Sequence, residues 1–159
     1  MTNYKPFIIA EIGCTHIGNL ERAKSLARLA KLAGADMLKT QKRNPRESVP
    51  EIWWDKPHPN ERFSYGKTYL EHRENVELSI EQHAELKAYC DEIDIEYSTS
   101  VWDMTSAKEA MTLGLNHIKV PSACNHNIEL IEYLYQNFDG LIHISLGMTT
   151  EKERDELLS

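Results

Sequence analysis

The feature that most constrains this chain is an alternation of short apolar runs and helical periods, repeated five times. Strand-like segments begin near residues 7, 35, 95, 117 and 141. Phe7–Ile12 is rich in Ile and short enough for a strand buried on both faces, and Gly13 and Gly18 punctuate the loop after it. Asn19 then opens a helix in which Leu20, Ala23, Leu26, Ala27, Ala30 and Ala33 recur at helical spacing, with Gly34 placed as a C′ residue. Ala35–Gln41, Ile95–Thr99, His117–Val120 and Leu141–Ser145 are the later strands. Between them come helices opened by Ser79 with Gln82 or Glu81 and by Asn127 (Ile128–Phe138), and a helix Met104–Leu113 preceded by Trp102 and Asp103 and stopped by Gly114, while Thr149 or Thr150 caps a last acidic helix.

Alternating βα units imply parallel strands joined by right-handed crossovers, and in such folds ligands collect at the carboxyl ends of the strands. The polar residues obey that rule along the chain: Glu11, Lys39 with Gln41, Thr99, Lys119 with Ser122, and Ser145. Two ammonium groups and three hydroxyls aimed at one mouth suit a phosphate, or a phosphate with a carboxylate, because charge-assisted hydrogen bonds must offset the desolvation of a multiply charged ligand. Glu11 can serve there as proton donor or base, or can pair with Lys39 as a structural ion pair. Both a barrel and an open doubly wound sheet would gather these side chains at the carboxyl edge.

Residues 42 to 79 break the alternation. Pro45, Pro50, Pro57 and Pro59 interrupt the backbone, and Trp53, Trp54, Phe63, Tyr65 and Tyr69 are interspersed with charge. A stretch of this length needs small elements of its own or a job as a lid or interface, and short packed elements beside the mouth, anchored by Tyr65 and Tyr69, are the expected form. The histidines show no H-x-x-x-H or H-E-x-x-H spacing, so no self-contained metal site is expected; His16, in the first loop, is placed to touch a substrate or lend a ligand. Cys14, Cys90 and Cys124 form no C-x-x-C pair, and Cys124 has no adjacent base to activate it. A net charge of −7 argues against a nucleic-acid surface. The apolar run Phe7–Ala10 is too short for a signal segment or a membrane span, so the expected setting is the cytoplasm, with no membrane partner.

Several of these residues also fall into recognisable motifs. Ile9-Ala10-Glu11-Ile12-Gly13 with His16-x-Gly18, Gly34-Ala35-Asp36 leading to Lys39-Thr40-Gln41, and Thr68-Tyr69-Leu70-Glu71 resemble the sialic acid synthase, or N-acetylneuraminate synthase, family. So do Ser98-Thr99 leading to Trp102-Asp103, Ile118-Lys119-Val120-Pro121-Ser122-Ala123 and Ser145-x-Gly147-Met148, all collinear from residue 8 to about 150. Cys124 stands where some members carry an acidic residue.

The resemblance implies a (β/α)8 barrel that condenses phosphoenolpyruvate with an N-acetylated amino sugar such as N-acetylmannosamine, releasing phosphate and forming a nine-carbon keto acid. It implies that Lys39, Thr99, Lys119, Ser122 and Ser145 hold phosphoenolpyruvate, that Glu11 serves the intermediate, and that a divalent metal, Mn²⁺ or Mg²⁺, polarises the aldehyde from ligands outside this chain. A legionaminate-type synthase, or a non-catalytic half-barrel that binds a phosphorylated metabolite or a partner subunit, are the alternatives. A closed (β/α)8 barrel takes about 250 residues. Residues 1–159 are therefore expected to form the N-terminal portion of such a barrel, without its later strands or an antifreeze-like domain, and to associate with a second copy or a complementing C-terminal portion.

Overall fold

The computed structural model describes residues 5–157. It contains the strands β1 (Ile9–Gly13), β2 (Met37–Lys42), β3 (Glu96–Val101), β4 (His117–Val120) and β5 (Leu141–Ile144). The helices are α1 (Leu20–Leu32), α2 (Pro45–Ser48), α3 (Tyr69–Val76), α4 (Ile80–Glu92), α5 (Met104–Met111), α6 (Ile128–Asn137) and α7 (Glu151–Leu157).

Side-chain caps fix where the helices begin. Asn19 accepts from the backbone N–H of Arg22, Asp103 from Ser106 and Asn127 from Leu130, each relieving an unpaired donor of a first turn. Ser79 and Gln82 close a reciprocal capping box at the start of α4. Thr150 and Glu153 exchange the same pair of bonds at the start of α7. Gly34, with φ +87°, ends α1 in the left-handed conformation that a side chain resists.

The five strands form one parallel sheet in the order β1-β2-β3-β4-β5, which is also their order in the chain. A doubly wound sheet needs a point where the strand order reverses, and there is none; the open doubly wound alternative is set aside on that ground. Crossovers of one hand along an unreversed order put α1, α4, α5 and α6 on one face. The core lies there, between Leu38, Tyr97, Val101, Ile118 and Val120 of the sheet and Ala23, Ala27, Leu86, Ala107, Leu130 and Leu134 of α1, α4, α5 and α6. The opposite face carries Glu11, Lys39, Ser98, Lys119 and His143, with the apolar Ile9 and Met37 among them.

The segment after β2 folds into short helices, α2, two 3₁₀ turns (Glu51–Trp53 and Glu61–Phe63) and α3. Tyr69 and His58 stack with ring centroids 5.8 Å apart, as do Tyr65 and His72. The segment docks beside the mouth, because the Asn44 N–H donates to Asp103 and the Met104 N–H to Glu47. Among the described residues no helix is long and apolar enough to cross a membrane.

Candidate functional site

Strand alternation divides each strand between two faces, and register aligns the inward residues across the sheet. Glu11 pairs with Lys39, Lys39 with Ser98, Ser100 with Lys119, and Lys119 with His143. Glu11, Lys39, Ser98, Lys119 and His143, with Ile9 and Met37 beneath, line a cavity of about 430 Å³. Lys39 Nζ contacts the Glu11 carboxylate and donates to Ser100 Oγ at 3.4 Å.

Burial lowers the Lys39 pKa to about 8, and the neighbouring Lys119 ammonium pushes in the same direction. The Glu11 carboxylate, half open to water, does not offset this. His143 is lowered as well, by burial and then by His117, Lys119 and Lys39. The cavity is thus a place where positive charge is crowded and an anion would relieve it.

Gly13, at φ +54°, carries no side chain where β1 ends; a Cβ there would lie 3.3 Å from both Glu11 Oε1 and Gln41 Nε2. The β1–β2 register slips between Glu11 and Gly13, so this glycine lets the two polar side chains meet at the mouth. Gln41 is held there by the Arg43 guanidinium, which donates to its carbonyl oxygen. Ser122, in the turn after β4, and Ser145, just past β5, face each other across Gly147, whose Cβ position is 3.8 Å from either hydroxyl. The Ser145 N–H donates to Val120 O and its own carbonyl accepts from Asn125, which ties the two turns together.

Thr99 departs from expectation. Strand β3 runs on to Val101, which leaves Thr99 in mid-strand with the parity of Tyr97, on the helix side. It is fully buried, and its hydroxyl accepts from Thr40 at 3.1 Å. The inward hydroxyls of β3 are Ser98 and Ser100, which sequence reasoning missed. The signal was available, since the bulky Tyr97 belongs against the helices and sets the opposite parity for both serines.

His16 also differs: it is fully buried beneath the first loop, its Nδ1 accepting from the Gly18 N–H at 3.2 Å, and burial lowers its pKa to about 4. Cys124 is half-buried against the Trp102 carbonyl at 3.2 Å, and burial, with Asp103, raises its thiol pKa. Among the described residues no three His, Cys, Asp or Glu side chains are grouped as a metal would need.

The NeuB family model matches residues 26–159. The chain is 36% identical over 142 residues to the N-acetylneuraminate-9-phosphate synthase of Homo sapiens, covering 89% of this chain and 39% of that protein. It is 31% identical over 147 residues to the N,N'-diacetyllegionaminic acid synthase of Legionella pneumophila, covering 92% of this chain and 41% of that one. A crystal structure of the N-acetylneuraminic acid (sialic acid) synthetase of Leptospira borgpetersenii, in complex with citrate, superposes with a TM-score of 0.79 at 22% identity, over 99% of this chain and 52% of that one. The chain spans about two fifths of the length of the curated relatives it matches. An unreversed parallel sheet with its polar face at the mouth, matched over most of its length by these relatives, leads to one conclusion: the chain belongs to the NeuB family.

Proposed function

We propose that residues 1–159 are the N-terminal portion of a synthase barrel that condenses phosphoenolpyruvate with an N-acetylated amino sugar, with release of phosphate. The observation that carries this reading is the pair Lys39 and Lys119, held in one cavity with Glu11 and the inward serines of β3. Lys39 and Lys119 neutralise the phosphoryl and carboxylate groups of phosphoenolpyruvate, and Ser100, whose hydroxyl accepts from Lys39, donates to their oxygens. Ser122 and Ser145 close the far side.

In the condensation, C3 of phosphoenolpyruvate attacks the sugar aldehyde, water adds at C2, and the resulting intermediate expels phosphate. Glu11, paired with Lys39, accepts the proton of that water, and Gln41 orients a hydroxyl of the sugar beside it. A bound dianion returns Lys39 to its protonated form, so phosphoenolpyruvate affinity falls as pH rises above about 8. The divalent ion implied by the family resemblance does not fit a ligand set among the described residues, and no step assigned to these side chains passes through it.

The likeness to legionaminic acid synthases leaves the same chemistry with a different amino sugar. In the sheet, β1 and β5 each pair on one side only, and further strands, from a second copy or a complementing portion, would cover them. Calorimetric titration with phosphoenolpyruvate, followed by a phosphate-release assay with N-acetylmannosamine and Mn²⁺, tests the reading. Binding that requires Lys119, with no phosphate release by the 159-residue chain on its own, is the expected result. Absence of phosphoenolpyruvate binding refutes it.

A further inference from the structure

The inner face of the sheet carries one line of titratable side chains that the synthase reading leaves unused. Glu96 on β3, His117 on β4 and His143 on β5 share the inward parity of Lys39 and Lys119. His143 is the register partner of Lys119 and lines the same cavity as Lys39, Lys119 and Glu11. Its ring lies nearly parallel to that of His117, at 17° with centroids 5.4 Å apart, and His143 Nε2 is 3.1 Å from His117 Nδ1. At the other end His117 Nε2 is 3.6 Å from Glu96 Oε1, a buried oxygen with no hydrogen-bond partner among the described residues. Phe7 stacks on His117 with centroids 6.1 Å apart, which holds that ring in its plane.

The charges facing His143 disfavour a further positive charge. Lys39 of β2 and Lys119 of β4 share its cavity and His117 stands behind it, while Glu11 of β1 is taken up by Lys39 and Glu96 of β3 lies past His117. Burial, then His117 and the two lysines, lower its pKa. A phosphate-bearing anion in the cavity reverses that balance, because an opposite charge beside an imidazole favours its charged form. We infer that His143 is a third cationic contact for the bound anion, and that His117, backed by Glu96, passes it the proton. A proton taken from water at the Glu96 end binds His117 Nε2, and the proton on His117 Nδ1 crosses the 3.1 Å contact to His143 Nε2. His117 ends neutral and His143 ends as the imidazolium. Its Nδ1–H, which makes no hydrogen bond among the described residues, is the donor offered to the anion. The inference rests on the reading of the mouth as a phosphoenolpyruvate site.

NMR on the purified protein carrying nitrogen-labelled histidine reads ring charge and tautomer directly, over a pH titration with and without saturating phosphoenolpyruvate. His143 should titrate below the ordinary 6.5 by itself, and its proton affinity should rise about tenfold or more with the ligand bound. His117→Phe keeps a ring against Phe7 but cannot pass a proton, and should cut that rise to about threefold or less. Calorimetry gives a second readout in His143→Gln, which keeps a donor and loses the charge. Phosphoenolpyruvate affinity should fall about tenfold at about pH 6 and by about twofold or less at about pH 8.5. Comparing variant with wild type at each pH cancels the titration of the ligand and of Lys39. The wild-type NMR titration needs no variant, so it carries the test if either substitution does not fold. A His143 ring that stays neutral with ligand bound at about pH 6, or an affinity ratio equal at the two pH values, overturns the third contact; an undiminished rise in His117→Phe overturns the relay. Wild-type phosphoenolpyruvate binding that is absent, or indifferent to Lys119→Ala, brings down the synthase reading instead, and separates the two failures.

Discussion

The two faces of the same five strands handle polarity in opposite ways. On the helix side the polar groups answer one another: the Tyr97 hydroxyl lies 2.6 Å from His83 Nδ1 and 2.7 Å from Thr40 Oγ1, and Thr40 continues the chain to Thr99. On the inner side burial and the Lys119 ammonium depress Lys39, which sits against a half-exposed Glu11, and His143 is pushed the same way. A buried hydrogen-bonded chain specifies packing, whereas crowded like charge marks a place where an outside anion would bring relief. Side-chain parity alone therefore separates what builds this molecule from what it does.

Neighbours on β4 give the sharpest way to break the comparison. Ile118, fully buried among the helices, should cost about 2–5 kcal/mol of stability when changed to Ala, read by urea unfolding, with phosphoenolpyruvate affinity of the folded protein intact. A loss under about 1 kcal/mol would contradict its place in the core. One residue on, Lys119→Ala should do the reverse: stability holds, and phosphoenolpyruvate affinity falls about ten- to a hundredfold, equivalent to roughly 1.5–3 kcal/mol. Ser122→Ala should weaken the same constant less, since a neutral donor contributes less than an ammonium. If calorimetry shows phosphoenolpyruvate affinity unmoved in Lys119→Ala, the lysine is a surface residue.

Tyr97→Phe probes the helix side without opening a cavity. It strands His83 Nδ1, while Thr40 Oγ1 keeps its bond to Thr99, and should cost about 1–3 kcal/mol while leaving anion binding alone. The smallest effect per step is acid sensitivity. Burial lowers His16 to about 4 and His83 to about 3, so below their ordinary value of 6.5 the unfolded chain takes up protons first. Stability should fall as pH drops from about 6.5 towards 4, by about 1.4 kcal/mol per unit for each imidazole, and these two groups should add no slope above 7. Urea midpoints that stay level between pH 7 and 5 would show that the imidazoles are not buried neutral.

Much of this was legible in the sequence because short-range physics decides it. Periodicity located all five strands, and Asn19, Ser79 and Asn127 announced their helices since each cap is chosen within a single turn. Glu11, Lys39 and Lys119 came out together because strand ends in parallel folds share an edge. What eluded the sequence depends on an exact strand length or on distant partners. Ending β3 at Thr99 instead of Val101 made a mid-strand threonine look like a mouth residue. His16 resembled a ligand because its loop position is visible in sequence and its burial is not. Glu96, His117 and His143 lie on three separate strands, and only the pairing of β3, β4 and β5 brings them into one line.

The unreversed strand order has a kinetic consequence. Each strand pairs with the one synthesised just before it, so no pairing waits for a distant part of the chain to be made. Loop-closure entropy rises slowly with length, and here every closure spans one helix, or in the β2–β3 case one helix and the docked segment. A ribosome releasing this sequence would see the sheet grow from its first edge, each new strand finding its template already assembled, and the slow long-range search that hampers parallel sheets would be broken into short consecutive ones.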